Sequence, residues 1–178
     1  RPQGGPSVGR RPAEGMSATR SGLGFDLHPL VDGRPLILGG ITVPVEPGGK
    51  GLGGHSDADV LTHAVCEALL GALALGDLGR MFPDTDPRWK GVSSLVLLEG
   101  VMAAIAKKGA RLVNVDVTVI CQAPRLAPHL PAMAERLAGT MRVAAEQVSV
   151  KAKSPEHLGL LGRGEGIAAM AIASVEVP

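Results

Sequence analysis

The stretch RLVNVDVTVI, Arg111 to Ile120, decides the fold. Apolar and polar residues alternate along it with the period of two that a strand requires, because successive side chains leave opposite faces of a sheet. Just before it, residues 93–108 carry a helical pattern closed by Gly109, the usual residue past a helix end. After it come a Pro-bounded loop, QAPRLAPH, a helix over 130–140 with a further turn near 143–146, and strands at 147–152 and 166–176. Upstream, short strands are predicted at 22–28, 35–39 and 41–44, with PLILGG and ITVP reading as a hairpin. The Gly-rich EPGGKGLGG then leads into SDADVLTHAVCEALLGALAL, a predicted helix over 56–75 with Ser56 as N-cap and Asp59 three residues on. Helices in the middle and strands throughout predict an α+β fold, a two-layer α/β sandwich with helices packed on one face of a mixed sheet. The final strand, IAAMAIASVEV, is apolar on both faces, which predicts cover on both sides, one of them another subunit.

Composition narrows the function. The 178 residues suit one domain, read as 20–178, preceded by a Gly-, Pro- and Arg-rich arm over 1–19 expected to be disordered. That arm reads equally as tag, linker from a preceding domain or transit remnant. Lys and Arg number 18 against 17 Asp and Glu, a net charge of +1, so no global field draws nucleic acid or an anionic membrane. With two Phe, one Trp and no Tyr, base stacking is a poor basis for binding. Cys66 and Cys121 form no CxxC, which fits a reducing compartment and buried fillers. No apolar run reaches transmembrane length. The expected setting is a bacterial cytoplasm, or a plastid if the arm is a transit remnant.

The chemistry gathers in a few places. In GFDLHPL, 24–30, Phe25 and Leu27 share one strand face and are expected in the core, which leaves Asp26 and His28 together on the other. Two such side chains converge as ligands of one metal do, and His63 is the best third. Two imidazoles and one carboxylate leave a fourth position open, the pattern of catalytic zinc. Asp26 and His28 read equally as a surface pair, and Asp59 with His63 forms a rival set at i, i+4. His55, placed just before the helix, is suited to donate to an anion at its N-terminus, or is an ordinary loop residue. FPDTDP and GDLG read singly as turns. KAKSPEHLGLLGRGEG combines lysines, a hydroxyl, a carboxylate, an arginine and glycines, a composition suited to phosphate; Glu156 is placed to hold a magnesium on a diphosphate. It is not a Walker A motif.

Taken in order, GFDLH, HSDADVLTH, GDLGRMFPDTDP, NVDVTVICQAP, VKAKSPE and LGRGEG resemble the 2-C-methyl-D-erythritol 2,4-cyclodiphosphate synthases over roughly 20–177. The resemblance implies zinc on Asp26, His28 and His63, with His55 and Ser154 stabilising the transition state. It implies a second divalent ion, Mg2+ or Mn2+, on Glu156. Leu27 and Ser56 would border the substrate, Asp77, Leu78 and Gly79 would hold the erythritol part, and Phe82, Pro83, Asp84, Thr85 and Asp86 would lie beside them. Cytidine would rest on the loop Cys121, Gln122, Ala123, Pro124, Arg125, Leu126 and Ala127. Lys153, Pro155, Leu160 and Arg163 complete the substrate-binding set. A homotrimer with active sites between subunits is implied, its central cavity edged by Arg163 and Glu165. An upstream cytidylyltransferase, as domain or partner, is a further expectation. Ser154 stands where threonine is usual, Lys153 and Pro155 where threonines often occur, and Leu160 replaces a frequent phenylalanine.

The implied reaction is an intramolecular attack of a 2-phosphate on a β-phosphorus with loss of CMP. Two other readings fit parts of the pattern: a zinc phosphohydrolase acting on nucleotide diphosphates, and a non-catalytic trimer that binds prenyl diphosphates.

Overall fold

A computed structural model describes residues 17–178, so the expectation for the arm falls outside the described residues for 1–16. Residues 18 and 19, assigned to that arm above, open the first strand instead. The chain runs β1 (Ala18–Val31), β2 (Leu36–Leu38), β3 (Ile41–Val43), β4 (Gly51–Leu52), α1 (Val60–Ala72), α2 (Leu78–Met81), α3 (Ser94–Lys107), β5 (Arg111–Ile120), α4 (Leu130–Met141), β6 (Val148–Lys153), α5 (Gly159–Gly162) and β7 (Gly166–Val177). Five strands form one sheet in the order β4-β1-β7-β5-β6, and β2 pairs with β3 as the expected hairpin. Only β5 and β6 run parallel, joined by a crossover through α4, so the sheet is mixed.

The core lies between this sheet and α1, α3 and α4. Leu61, Leu69, Leu98, Ile105, Met133, Leu137 and Ile167 are fully buried there. The alternation of β5 holds from Val115 onward, where Val115, Val117 and Val119 are all buried. A register shift between Leu112 and Asn114 interrupts it, turning Val113 out to 42% exposure.

The two faces of β1 are the reverse of the expectation. Phe25 is 53% and Leu27 41% exposed, whereas Gly22, Gly24, Asp26 and His28 face α1. Glycine is the cause. A Cβ at Gly22 or Gly24 would fall 2.1 Å from the Ala68 oxygen or 1.9 Å from the Ala64 oxygen, so the helix backbone rests directly on the strand. Leu23, Phe25 and Leu27 are left on the open face beside Met170 and Ile172 of β7. The predicted two-sided burial of β7 is therefore met on the α1 side alone in the single chain.

Candidate metal centre and substrate cleft

Asp26 and His28 project from β1 toward His63, the fourth residue of α1. Asp26 Oδ2 lies 2.9 Å from both His28 Nε2 and His63 Nδ1, and those two nitrogens are 3.2 Å apart. Asp26 Oδ1 is occupied by the Leu27 N–H at 2.9 Å. His28 Nδ1 sits 2.8 Å from the Gly53 carbonyl, which can only accept, so Nδ1 donates and Nε2 keeps its lone pair. His63 Nε2 lies 2.9 Å from Ser94 Oγ and 3.1 Å from Ser56 Oγ, leaving Nδ1 for the centre.

Three acceptors thus meet with no hydrogen of their own between them. Such a cluster calls for a cation, and its two imidazoles and one carboxylate are a donor set that fits zinc. Burial alone would raise the Asp26 carboxyl, but the imidazoles of His28 and His63, each 2.9 Å from Oδ2, hold it well below the ordinary carboxylate range. Burial works the other way on His28, yet Asp26 and the Gly53 carbonyl raise it above the usual imidazole value.

The rival pair is resolved in favour of helix capping. Asp59, not Ser56, is the N-cap of α1, and the helix opens at Val60 rather than 56. The fully buried Asp59 carboxylate accepts from the N–H groups of Gly39, Gly40 and Thr62 and from Thr62 Oγ1, at 2.7–3.0 Å. It has nothing left for a metal. His55 is corrected with it: exposed and five residues before Val60, it does not sit at the helix N-terminus, which is buried. Ser56 instead turns inward to His63 and accepts the Ala58 N–H.

A cleft of about 250 Å³ opens over the centre, lined among others by Asp26, His28, His55, Ser56, His63, Leu78, Gly79, Phe82 and Asp84. Asp77 caps the four-residue α2, accepting from the Arg80 N–H at 2.8 Å, while Glu67 of α1 accepts from the Leu78 N–H at 2.9 Å. The segment is thereby fixed to the helix that carries His63. Phe82 meets Trp89 edge-on at 5.0 Å. Pro83 and Thr85 are exposed, and Asp86 caps the turn Pro87–Trp89 and pairs with Arg88.

The remaining predicted residues gather elsewhere. Gln122, Ala123, Pro124 and Arg163 line a second cleft of about 610 Å³ with Glu46 and Lys50. Cys121 and Leu126 are buried, whereas Arg125 and Ala127 are exposed. Lys153, Ser154 and Glu156 are exposed at the end of β6, Pro155 less so. Glu156 and His157 both adopt left-handed backbone, φ 53° and 62°, a conformation kept where surroundings enforce it. Ser154 Oγ accepts the Glu156 N–H and Gln122 Oε1 the His157 N–H, both at 3.0 Å. Leu160 and Glu165 border a third cleft with Leu27, and Arg163 pairs with Glu165 at 2.5 Å.

Sequence reasoning passed over three residues. Arg34 donates to the carbonyls of Gly54 and Ser56 at 2.6 Å each, bracketing His55. Asp57 and Ser94 stand behind His63. All three act through contacts distant in sequence. Only Asp57, inside HSDADVLTH, lay within a motif.

The YgbB family model matches residues 19–176. A 2-C-methyl-D-erythritol 2,4-cyclodiphosphate synthase of Nitrosospira multiformis is 56% identical over 156 residues, 88% of this chain and 86% of the relative. A solved 2-C-methyl-D-erythritol 2,4-cyclodiphosphate synthase in a CDP-bound form superposes with a TM-score of 0.78 at 37% identity, covering 86% of this chain and 98% of that one. The bifunctional IspDF of Campylobacter jejuni superposes at 0.86 with 36% identity over 92% of this chain and 43% of its own. With the family model spanning nearly every described residue, this chain belongs to the YgbB family.

Proposed function

We propose that the chain converts 4-diphosphocytidyl-2-C-methyl-D-erythritol 2-phosphate to 2-C-methyl-D-erythritol 2,4-cyclodiphosphate with release of CMP, as a phosphorus–oxygen lyase of the non-mevalonate isoprenoid pathway. The observation that carries this reading is the convergence of Asp26 Oδ2, His28 Nε2 and His63 Nδ1 in the floor of a cleft, in a chain of this family. A zinc ion held by the three would offset charge on the diphosphate oxygens as the β-phosphorus is attacked.

The substrate's 2-phosphate has a second pKa of about 6 and is largely ionised at neutral pH, so no general base is needed. The protein's work is placement and charge. Asp77 and Gly79 hold the erythritol part, and the backbone of the 121–127 loop receives cytidine, which suits a chain with so few aromatics. His55, pinned by Arg34 through the carbonyls on either side of it, donates to a phosphate oxygen. The Ser154 hydroxyl does the same, and Glu156 would hold a Mg2+ or Mn2+ ion that offsets charge on the diphosphate. Holding both phosphates in attack geometry is worth an effective molarity on the order of 10⁵ M or more.

Two separate clefts in one chain call for an assembly. A homotrimer would bring the 121–127 and 153–156 segments of one subunit to the metal centre of the next, while covering Leu23, Phe25, Met170 and Ile172, which are 45–62% exposed in the single chain. The third cleft, where Leu27 and Leu160 lie beside Glu165, would then face the trimer centre.

Incubation with substrate, Zn2+ and Mg2+, followed by phosphorus NMR, should show CMP and the cyclic diphosphate. A linear phosphorylated product would instead indicate a phosphohydrolase, and absence of turnover would refute the assignment.

A further inference from the structure

Behind His63, on the side away from Asp26, lies a chain of contacts that the proposed reaction does not use. His63 Nε2 is 2.9 Å from Ser94 Oγ, and Ser94 Oγ is in turn hydrogen-bonded to Asp57 Oδ1. Asp57 Oδ2 also accepts the Ser94 N–H at 3.0 Å, so the carboxylate grips Ser94 by both its side chain and its backbone. Ser94 is fully buried. Two further links fasten the segments that carry this chain: the Asp57 N–H to the Val92 carbonyl at 3.0 Å and the Gly91 N–H to the His55 carbonyl at 2.8 Å.

The direction of these bonds follows from the donor inventory. A carboxylate has no hydrogen to give, so the single hydroxyl hydrogen of Ser94 goes to Asp57. Ser94 then faces His63 with lone pairs alone, and Nε2 must carry the hydrogen. The competing Ser56 hydroxyl, at 3.1 Å, can adapt to either form of the ring because its own hydrogen is not committed to a carboxylate. Asp57 is therefore the group that decides which nitrogen of His63 is bare.

We propose that Asp57, acting through the Ser94 hydroxyl, is a positioning residue that keeps His63 protonated at Nε2, with the Nδ1 lone pair directed at the point shared by Asp26 and His28. The proposal rests on the reading of those three residues as a metal centre. It adds a serine-bridged carboxylate as the device that orients one ligand and ties its orientation to the start of α3. Partners of this kind behind a ligating histidine typically change metal affinity by roughly 10- to 100-fold.

The test compares the full-length wild type with Ser94→Ala, Ser94→Thr, Asp57→Asn and Ser93→Ala, measuring zinc dissociation constants by competition with a chelator. Nitrogen-15 NMR of the zinc-free proteins reads the form of the His63 ring. Ser94→Ala should weaken zinc binding roughly 10- to 100-fold and let the hydrogen redistribute between the ring nitrogens, with Ser94→Thr restoring both. Asp57→Asn should shift both readouts in the same direction. Ser93→Ala removes the side-chain cap of α3, a 3.3 Å contact from the Leu95 N–H, without touching the chain to His63, and should leave zinc binding unchanged. Equal losses in Ser93→Ala and Ser94→Ala would reduce the effect to helix stability and overturn the proposal. Zinc binding in Ser94→Ala within twofold of wild type would overturn it while sparing the metal centre. A wild type that binds no zinc would overturn both.

Discussion

Gly24 and Ala64 touch where neither has room to spare: a Cβ on Gly24 would lie 1.9 Å from the Ala64 carbonyl oxygen. The obstacle is helix backbone, which no rotamer change can relieve. This contact sets the separation of β1 from α1, and hence the distance from Asp26 and His28 to His63. Gly24→Ala should cost about 1–3 kcal/mol or more by overpacking, read as a lower urea midpoint, and should weaken zinc binding as well. A variant with wild-type stability would mean that strand and helix are not held apart at this point.

His63→Ala should abolish stoichiometric zinc by elemental analysis while leaving the chain folded. Asp59→Ala should do the opposite. It removes an N-cap, which alone is typically worth about 0.5–2 kcal/mol, and strands the Gly39, Gly40 and Thr62 donors. Retained zinc in His63→Ala would return Asp59 to consideration as a ligand.

Phe25→Glu places a charge on the open face of β1 and should reduce the mass measured by sedimentation from that of the proposed trimer to that of a single chain, with secondary structure intact. Activity should fall with assembly, since the two clefts would no longer meet. An active variant of single-chain mass would show that one chain suffices.

Both cysteines are free and buried, and burial raises both thiols, Cys121 to about 11. At pH 8 only about one Cys121 in a thousand is thiolate, so Ellman's reagent should label neither cysteine until the protein is denatured, when both react. In the unfolded chain a thiol titrates near about 8.5. The folded state, which keeps its thiols neutral, therefore holds its full advantage below that pH and loses it as pH rises toward 11. Stability measured by urea titration should decline across that alkaline window.

Much of this architecture can be read from sequence where a pattern is local. The Arg111–Ile120 strand, the α3 and α4 helices and the final strand lie within a residue or two of expectation, because period, cap and glycine stop agree there. The trio Asp26, His28 and His63 was legible because strand alternation put the first two together. What failed was long-range. Nothing in GFDLHPL shows that α1 will press on Gly22 and Gly24, so alternation alone sends Phe25 and Leu27 to the core, where the fold puts Asp26 and His28 toward the helix instead. Ser56 looks as good a cap as Asp59 until the Gly39–Gly40 turn arrives to complete the carboxylate's bonds. Arg34 and Ser94 carry no motif at all, since their meaning comes only from the partners the fold delivers.

The alternation of β1 has one more implication. Phe25 and Leu27 face outward between Gly24, Asp26 and His28, so neighbouring residues of a single backbone serve opposite surfaces. A small molecule wedged against Leu27 in the third cleft would act as a lever on Asp26 and His28, with one peptide bond as its arm on either side. Inhibition from that outer surface would require no resemblance to a nucleotide.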